Sequence, residues 1–183
     1  MTMFKIPGRP DRFHTSVQSF RPALYRLAYM WTHDRSLADD LTQEALAKAL
    51  ARGSQLRDQK RLRAWLYGIL TNCWRDYLRA RRPMEDIGSI EEHFLANEGD
   101  GPDQILGQSQ LAFRVQCAVN KLPAGQRAVI SLVDLGQLTY AEVAEVLEIP
   151  IGTVMSRLSR GRAALRISLA GEESSQAVIR RVK

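Results

Sequence analysis

Residues Leu138–Arg166 read LTYAEVAEVLEIPIGTVMSRLSRGRAALR: a short amphipathic run, a brief interruption, and a longer amphipathic run. Thr139-Tyr140-Ala141-Glu142 has the form of a capping box, a hydroxyl followed three residues later by a glutamate. The pattern predicts a helix over Thr139–Leu147, a turn at Glu148-Ile149-Pro150, and a second helix from Ile151 to about Leu169. A three-residue turn between a short and a longer helix is the spacing of a helix-turn-helix. Val143, Ala144 and Leu147 face inward on the first helix, with Ala144 small where the helices approach. Val154, Leu158 and Leu165 repeat on one face of the second. At about 100° per residue, Thr153, Ser156, Arg157 and Arg160 then point away from the core. Hydroxyls and guanidinium forks suit base edges and phosphates in a major groove. The candidate duplex-reading set is Thr153, Ser156, Arg157, Ser159, Arg160 and Arg162, with Arg166 further round. A merely solvated face is the plain alternative; four arginines with no intervening acid argue against it.

The same helical period extends through the chain. Leu111–Lys121 and Pro123–Asp134 precede the motif, and Pro123 suits a first-turn position. Upstream, Leu24, Leu27, Ala28 and Trp31 recur at i, i+3, i+4, i+7. Leu37, Leu41, Ala45 and Leu46 follow a break, with Ser36 as N-cap, Asp39 as capping-box acid, and Gly53 as the helix end. Trp65, Leu66, Ile69, Leu70, Trp74, Tyr77 and Leu78 make a third run that Pro83 stops. No strand pattern competes, so the fold is expected to be all-α, as two small helical domains.

Charge marks the boundary between them. Residues 11–82 hold 14 Lys/Arg against 7 Asp/Glu, 83–108 hold 7 acids and no base, and 109–170 hold 7 bases against 4 acids. The middle stretch also carries Pro83, Gly88, Gly99, Gly101, Pro102 and Gly107, the punctuation of a flexible acidic linker. Its acidity serves solubility, or repels or mimics nucleic acid. The reading divides the chain into 11–82, linker 83–108, 109–170 and a polar tail 171–183, either disordered or a short docking helix.

Composition narrows the function. The chain of 183 residues carries a net charge of +6 and is 45% hydrophobic, enough for a core. No apolar run approaches the roughly 20 residues that span a bilayer, and Met1–Arg12 lacks the apolar stretch of a secretory signal. The expected location is cytoplasmic, where Cys73 and Cys117 stay reduced and are structural rather than redox-sensing. There is no phosphate loop, metal-ligand cluster or nucleophile–base constellation. His14, His33 and His93 are scattered. No enzyme, metal or cofactor is expected.

Two further stretches carry a family resemblance. Leu37–Ala49 (LADDLTQEALAKA), Arg63–Arg79 (RAWLYGILTNCWRDYLR) and the Arg81-Arg82 pair resemble region two of a bacterial sigma factor of the extracytoplasmic-function (ECF) group. Leu122–Ile130 (LPAGQRAVI), Leu138–Leu147 and Ile149–Arg162 resemble region four of the same group. The resemblance covers about 11–82 and 109–169. It implies a subunit that docks on RNA polymerase core through the largest and second-largest subunits. Region two would read the minus-ten promoter element as melted strand, and region four the minus-thirty-five element as duplex. It also implies control by an anti-sigma factor.

Carried onto this sequence, Asp39, Asp40, Gln43 and Glu44 make an acidic face suited to polymerase core. Asn72 falls where an unstacked promoter base is read, and the loop Gln55–Arg61 where a pocket receives such a base. Arg57, Lys60, Arg61, Asn72, Arg75, Arg79, Arg81 and Arg82 form the candidate single-strand set. Trp65 and Tyr67 are expected in the core. Trp74 stands where the family carries a small or polar residue, and extra packing is favoured over stacking on DNA. The chain departs from the pattern at Gly68, Cys73 and Met155, where basic residues are common, and at Glu148, which replaces the usual glycine of the turn at some strain. Two rivals remain: a stand-alone helix-turn-helix regulator, and a sigma mimic that sequesters an anti-sigma protein. The reading requires modules that can straddle DNA; a first module fused rigidly to the second would exclude it.

Overall fold

The computed structural model describes residues 9–81 and 110–181, with side chains over 12–81 and 114–170. The regular elements among them are all helical. The first module holds α1 (Arg9–Ser19), α2 (Arg21–Thr32), α3 (Arg35–Ala51) and α4 (Leu62–Ala80), with 3-10 turns at Gly53–Gln55 and Gln59–Arg61 before α4. The second holds α5 (Gln110–Asn120), α6 (Ala124–Ile130), a π turn at Ser131–Leu135, α7 (Tyr140–Leu147) and α8 (Ile151–Arg181). The all-α expectation holds, in two groups of helices. The stretch 83–108 and Arg82 lie outside the described residues.

Local chemistry sets the helix ends, not always where the periodicity placed them. His33 closes α2 in the left-handed region at φ 55, and Asp34 follows with extended backbone. Asp34, not Ser36, therefore caps α3: its carboxylate accepts the Leu37 N–H at 3.0 Å. Asp39 instead pairs with Arg21 at 2.6 Å. Helix α3 stops at Ala51, ahead of Gly53, which opens the next turn. A Cβ on Gly53 would stand 2.6 Å from the Phe13 ring, so glycine there admits α1 close to the turn. Pro123 takes the N-cap position of α6, one residue before the expected first turn. The α-helix expected through Asp134 widens at Ser131 into the π turn, closed by Gly136 N–H on the Ser131 carbonyl at 2.9 Å. Helix α8 runs past Leu169 to Arg181.

Inside the first module Leu24, Leu27, Leu41, Leu66 and Leu70 are buried. Inside the second, Val129, Leu132, Val143, Val154 and Leu158 are. Burying each such side chain contributes roughly 1.5–3 kcal/mol. Tyr67 and Trp74 are each 2% exposed, and Trp74 stacks on Tyr77 with centroids 5.5 Å apart. Trp74 is thus packing, as favoured. Trp65 is half-buried beside Phe13. Cys73 is buried, and that burial holds its thiol above its ordinary pKa; Cys117 is half-buried.

The two modules also pack on each other, which a tethered arrangement did not anticipate. Their buried residues form one continuous cluster. At the seam the Trp31 indole N–H donates to Ser131 Oγ at 2.9 Å, both buried. The Tyr67 ring meets Gly136 so closely that a Cβ there would lie 3.1 Å from it, and 2.5 Å from the Leu132 carbonyl oxygen. Arg127, itself buried, donates to His33 Nε2 at 2.9 Å. Because a guanidinium only donates, the imidazole must accept and be neutral. Burial first, and the Arg127 charge second, lower the His33 pKa from 6.5 to about 4.

Two outcomes follow from this seam. Gly136→Ala should destabilise the chain by about 1–3 kcal/mol, because the added methyl meets a backbone carbonyl that cannot yield; urea unfolding measures it. For His33, the folded pKa lies below the unfolded one. Its contribution is therefore complete above about pH 6.5 and is lost as pH falls toward about 4. His33→Asn, which tolerates the left-handed backbone, should flatten the fall in urea midpoint across that window. An equal fall in both proteins would remove His33 as its source.

Candidate nucleic-acid interface

The helix-turn-helix forms as its sequence directs. Thr139 Oγ1 accepts the Glu142 N–H at 3.3 Å while the Glu142 carboxylate accepts the Thr139 N–H at 2.8 Å, completing the capping box. Val143, Val146 and Leu147 of α7 are buried with Val154 and Leu158 of α8, while Ala144 and Leu165 are half-buried. Glu148 closes α7 in the left-handed region at φ 56, the strained conformation expected of a side chain where glycine is usual.

This packing aims one face of α8 outward. Ser156, Ser159 and Arg160 are exposed and Thr153 is half-buried. Ser156 Oγ donates to the Thr153 carbonyl at 3.1 Å, and Arg160 donates from Nε to the Ser156 carbonyl at 3.3 Å. Thr153, Ser156 and Arg160 thus form one ordered strip of hydroxyls ending in a guanidinium. The other two arginines sit differently. Arg157 is half-buried, its guanidinium 3.2 Å from where a Gly125 Cβ would stand. Arg162 pairs with Asp134 at 2.5 Å, which raises its pKa. Ile151 and Met155, 50% and 53% exposed, add an apolar edge beside the strip.

In the first module Asn72 is exposed on α4 and Arg75 is only 7% exposed. Arg75 donates to the Leu147 carbonyl at 2.6 Å, to the Glu148 carboxylate at 3.0 Å and to Asn72 Oδ1 at 3.4 Å. Arg61 pairs with Glu145, and Arg63 donates to the Gln137 side chain at 3.2 Å. Arg79 pairs with Asp76 at 3.3 Å on its own helix, and Arg81 lies over the Tyr77 ring at 4.8 Å. Arg57 and Lys60 are exposed on the turns before α4. Those turns border an open hollow of about 660 Å³ lined by Phe13, Leu50, Leu56, Arg57 and Gln59 among others. Sequence reasoning missed Glu145 and Glu148 as partners of this set. The one signal for Glu148 was its place at a glycine position.

The acidic face on α3 is largely engaged within its own module. Gln43 Nε2 donates to Asp39 Oδ2 at 2.6 Å, Asp39 also holds Arg21, and Glu44 pairs with Lys48 at 2.7 Å. Asp40, Gln43 and Glu44 are exposed. Among the described residues no group of three His, Cys, Asp or Glu could hold a metal ion, and no helix is long and apolar enough to cross a membrane.

Comparison with known proteins finds two family matches along the chain. The family described as Sigma-70 region 2 matches residues 16–83, and Sigma-70, region 4 matches 112–165. The ECF RNA polymerase sigma factor SigW of Bacillus subtilis is 31% identical over 170 residues, covering 88% of this chain and 91% of that protein. The ECF RNA polymerase sigma factor SigE of Mycolicibacterium smegmatis is 34% identical over 163 residues; the match spans 88% of this chain but 63% of that longer protein. The sigma factor RpoE of Bartonella quintana, solved in complex with the anti-sigma factor NepR, superposes with a TM-score of 0.70 at 26% identity, covering 87% of this chain and 98% of that one.

Proposed function

The chain belongs to the sigma-70 family, in its ECF group, and we propose that it binds RNA polymerase core and directs it to promoters. In this reading residues 11–82 form the core-binding and minus-ten module, 83–108 the linker and 109–170 the minus-thirty-five module. The observation that carries it is the outward strip of Thr153, Ser156 and Arg160 on α8, in a chain whose α4 also exposes Asn72 among arginines. The first suits the edges and phosphates of paired DNA, the second an unstacked base.

The mechanism is binding throughout; the chain breaks no covalent bond. Asp39, Asp40, Gln43 and Glu44 offer an acidic surface to a basic partner on the polymerase core. The core fixes the separation of the two modules. Two weak readers then act on one molecule of DNA, and the second contact gains a high effective concentration. Asn72 captures the extruded base, the hollow beside Arg57 receives it, and Lys60, Arg61, Arg75, Arg79, Arg81 and Arg82 follow the strand. On the duplex, Ser156 and Arg160 face base edges, while Ser159, Arg157 and Arg162 hold phosphates. Work in the cytoplasm and control by an anti-sigma factor belong to the same proposal. The solved relative's complex with NepR supports the latter.

Run-off transcription from a promoter library with polymerase core, with and without the chain, tests the reading; start sites indifferent to the chain refute it. Asn72→Ala should lower open-complex yield by about tenfold, the loss of one base-reading hydrogen bond, with core affinity unchanged. Equal loss of both would remove Asn72 from base capture. Arg160→Ala should cost about 1–3 kcal/mol on the preferred minus-thirty-five duplex and relax its sequence preference. A uniform loss across sequences reassigns Arg160 to phosphate.

A further inference from the structure

The strip of Thr153, Ser156 and Arg160 does not account for the whole outward face of α8. Two neighbouring rows at i, i+4, i+8 carry that face: Ile151, Met155 and Ser159 in one, Gly152, Ser156 and Arg160 in the other, all of them exposed. We propose, on the reading of α8 as the duplex-binding helix, that the apolar part of this face reads the C5-methyl groups of thymine in the minus-thirty-five duplex. Ile151 and Met155 supply the contact, and the bare backbone of Gly152 lets the base edges come close.

This edge differs from the single apolar residues that any protein surface carries. Ile151 and Met155 are 50% and 53% exposed and lie one helical turn apart, so their side chains make one continuous apolar surface. The core does not need them, because Val154 and Leu158 on the opposite side of α8 are buried. Gly152 lies beside them facing open space: a Cβ built there would meet nothing within 4 Å outside its own stretch of helix. Packing therefore does not ask for glycine at 152. Gly161 is the contrast, since its Cβ would stand 2.5 Å from Ile130 Cδ1. What glycine leaves at 152 is helix backbone that another molecule can approach without meeting a side chain.

The chemistry of the major groove says what that molecule presents. Each base pair shows its own donors and acceptors there, and thymine adds an apolar group, its C5-methyl. A recognition helix meets base edges with its N-terminal residues, which on α8 are Ile151, Gly152, Met155 and Ser156. Ile151 and Met155 carry no charge and no strong hydrogen-bonding group. They neither hold a phosphate nor pair with a polar base edge, so what they discriminate is an apolar group. The flexible, polarizable thioether of Met155 can follow a methyl in either strand. The adjoining row supplies the polar contacts: Ser156 with its hydroxyl, and Arg160, whose Nε donates to the Ser156 carbonyl at 3.3 Å. One row thus anchors the helix and the other selects thymine.

The test uses the full chain bound to polymerase core and a fluorescent promoter fragment carrying the minus-thirty-five element that the promoter library selects. Each thymine of that element, in either strand, is replaced in turn by deoxyuridine, which removes the methyl and leaves base pairing intact. Anisotropy should report about fourfold weaker binding for the thymine under the edge, the transfer value of one buried methyl. In Met155→Ala, which places a good helix former at an exposed position, the thymine and uracil duplexes should bind alike. Gly152→Ala should leave the urea midpoint unchanged or higher, yet weaken duplex binding by about tenfold, because the added methyl holds the helix off the base edges. A selected element with no thymine in either strand, no loss on removing any methyl, or the same loss in the parent and Met155→Ala overturns the proposal. So does undiminished duplex binding by Gly152→Ala. A fall in core affinity in Met155→Ala, with methyl discrimination intact, overturns it by assigning the edge to a protein contact. Core carrying the parent chain that prefers no minus-thirty-five element fails the proposed function itself, whereas a clear preference indifferent to the methyl fails only thymine reading.

Discussion

The guanidinium of Arg75 is a charge taken almost wholly out of water at the seam between α4 and α7. A buried cation is costly unless oxygen acceptors face it, and here the Leu147 carbonyl, the Glu148 carboxylate and Asn72 Oδ1 answer its two terminal nitrogens, while Nε is buried with no partner. Two of those three acceptors belong to the other module. The packed arrangement of the chain therefore depends on this cation finding oxygen from α7. The apolar part of the seam, where Tyr67 meets Gly136 and Trp31 meets Ser131, sets how closely the modules approach. The Arg75 network sets which surfaces face each other.

Within each module the logic is simpler. Helices too short to be stable alone gain their stability from an apolar face packed against neighbours. That frees the opposite face for recognition. On α8 the buried Val154 and Leu158 fix the rotation that turns Ser156, Ser159 and Arg160 outward. On α4 the buried Leu66, Ile69, Leu70, Cys73 and Trp74 do the same for Asn72. Residues that make the core and the exposed residues proposed to read DNA are therefore coupled through helix phase, and a change of core register would rotate both.

Some residues assigned from sequence carry partners that reshape their role. Arg162 faces Asp134, and Arg157 lies along α6 beside Gly125, so both are less available than Arg160. The acidic face of α3 is stitched by Arg21, Gln43 and Lys48. Such pairs are weak at an exposed surface and can exchange for a stronger partner. Arg61 and Arg75 differ because their partners come from the second module.

The sequence by itself determined the helices, the capping box at Thr139, the turn at Glu148-Ile149-Pro150 and the outward strip on α8. These follow from contacts within a few residues, and a 3.6-residue period makes such contacts visible in a string of letters. Local order also misled where two nearby groups competed, as when Asp34 rather than Ser36 took the cap because His33 had already reversed the backbone. Only the tertiary structure decided that α7 lies on α4, that Trp31 reaches Ser131 across 100 residues, and that Glu148 answers Arg75 across 73. No periodicity reports such pairings. They depend on which charged groups the folded surfaces bring within hydrogen-bond reach, and that is settled by the shapes of two cores meeting rather than by either run of residues alone.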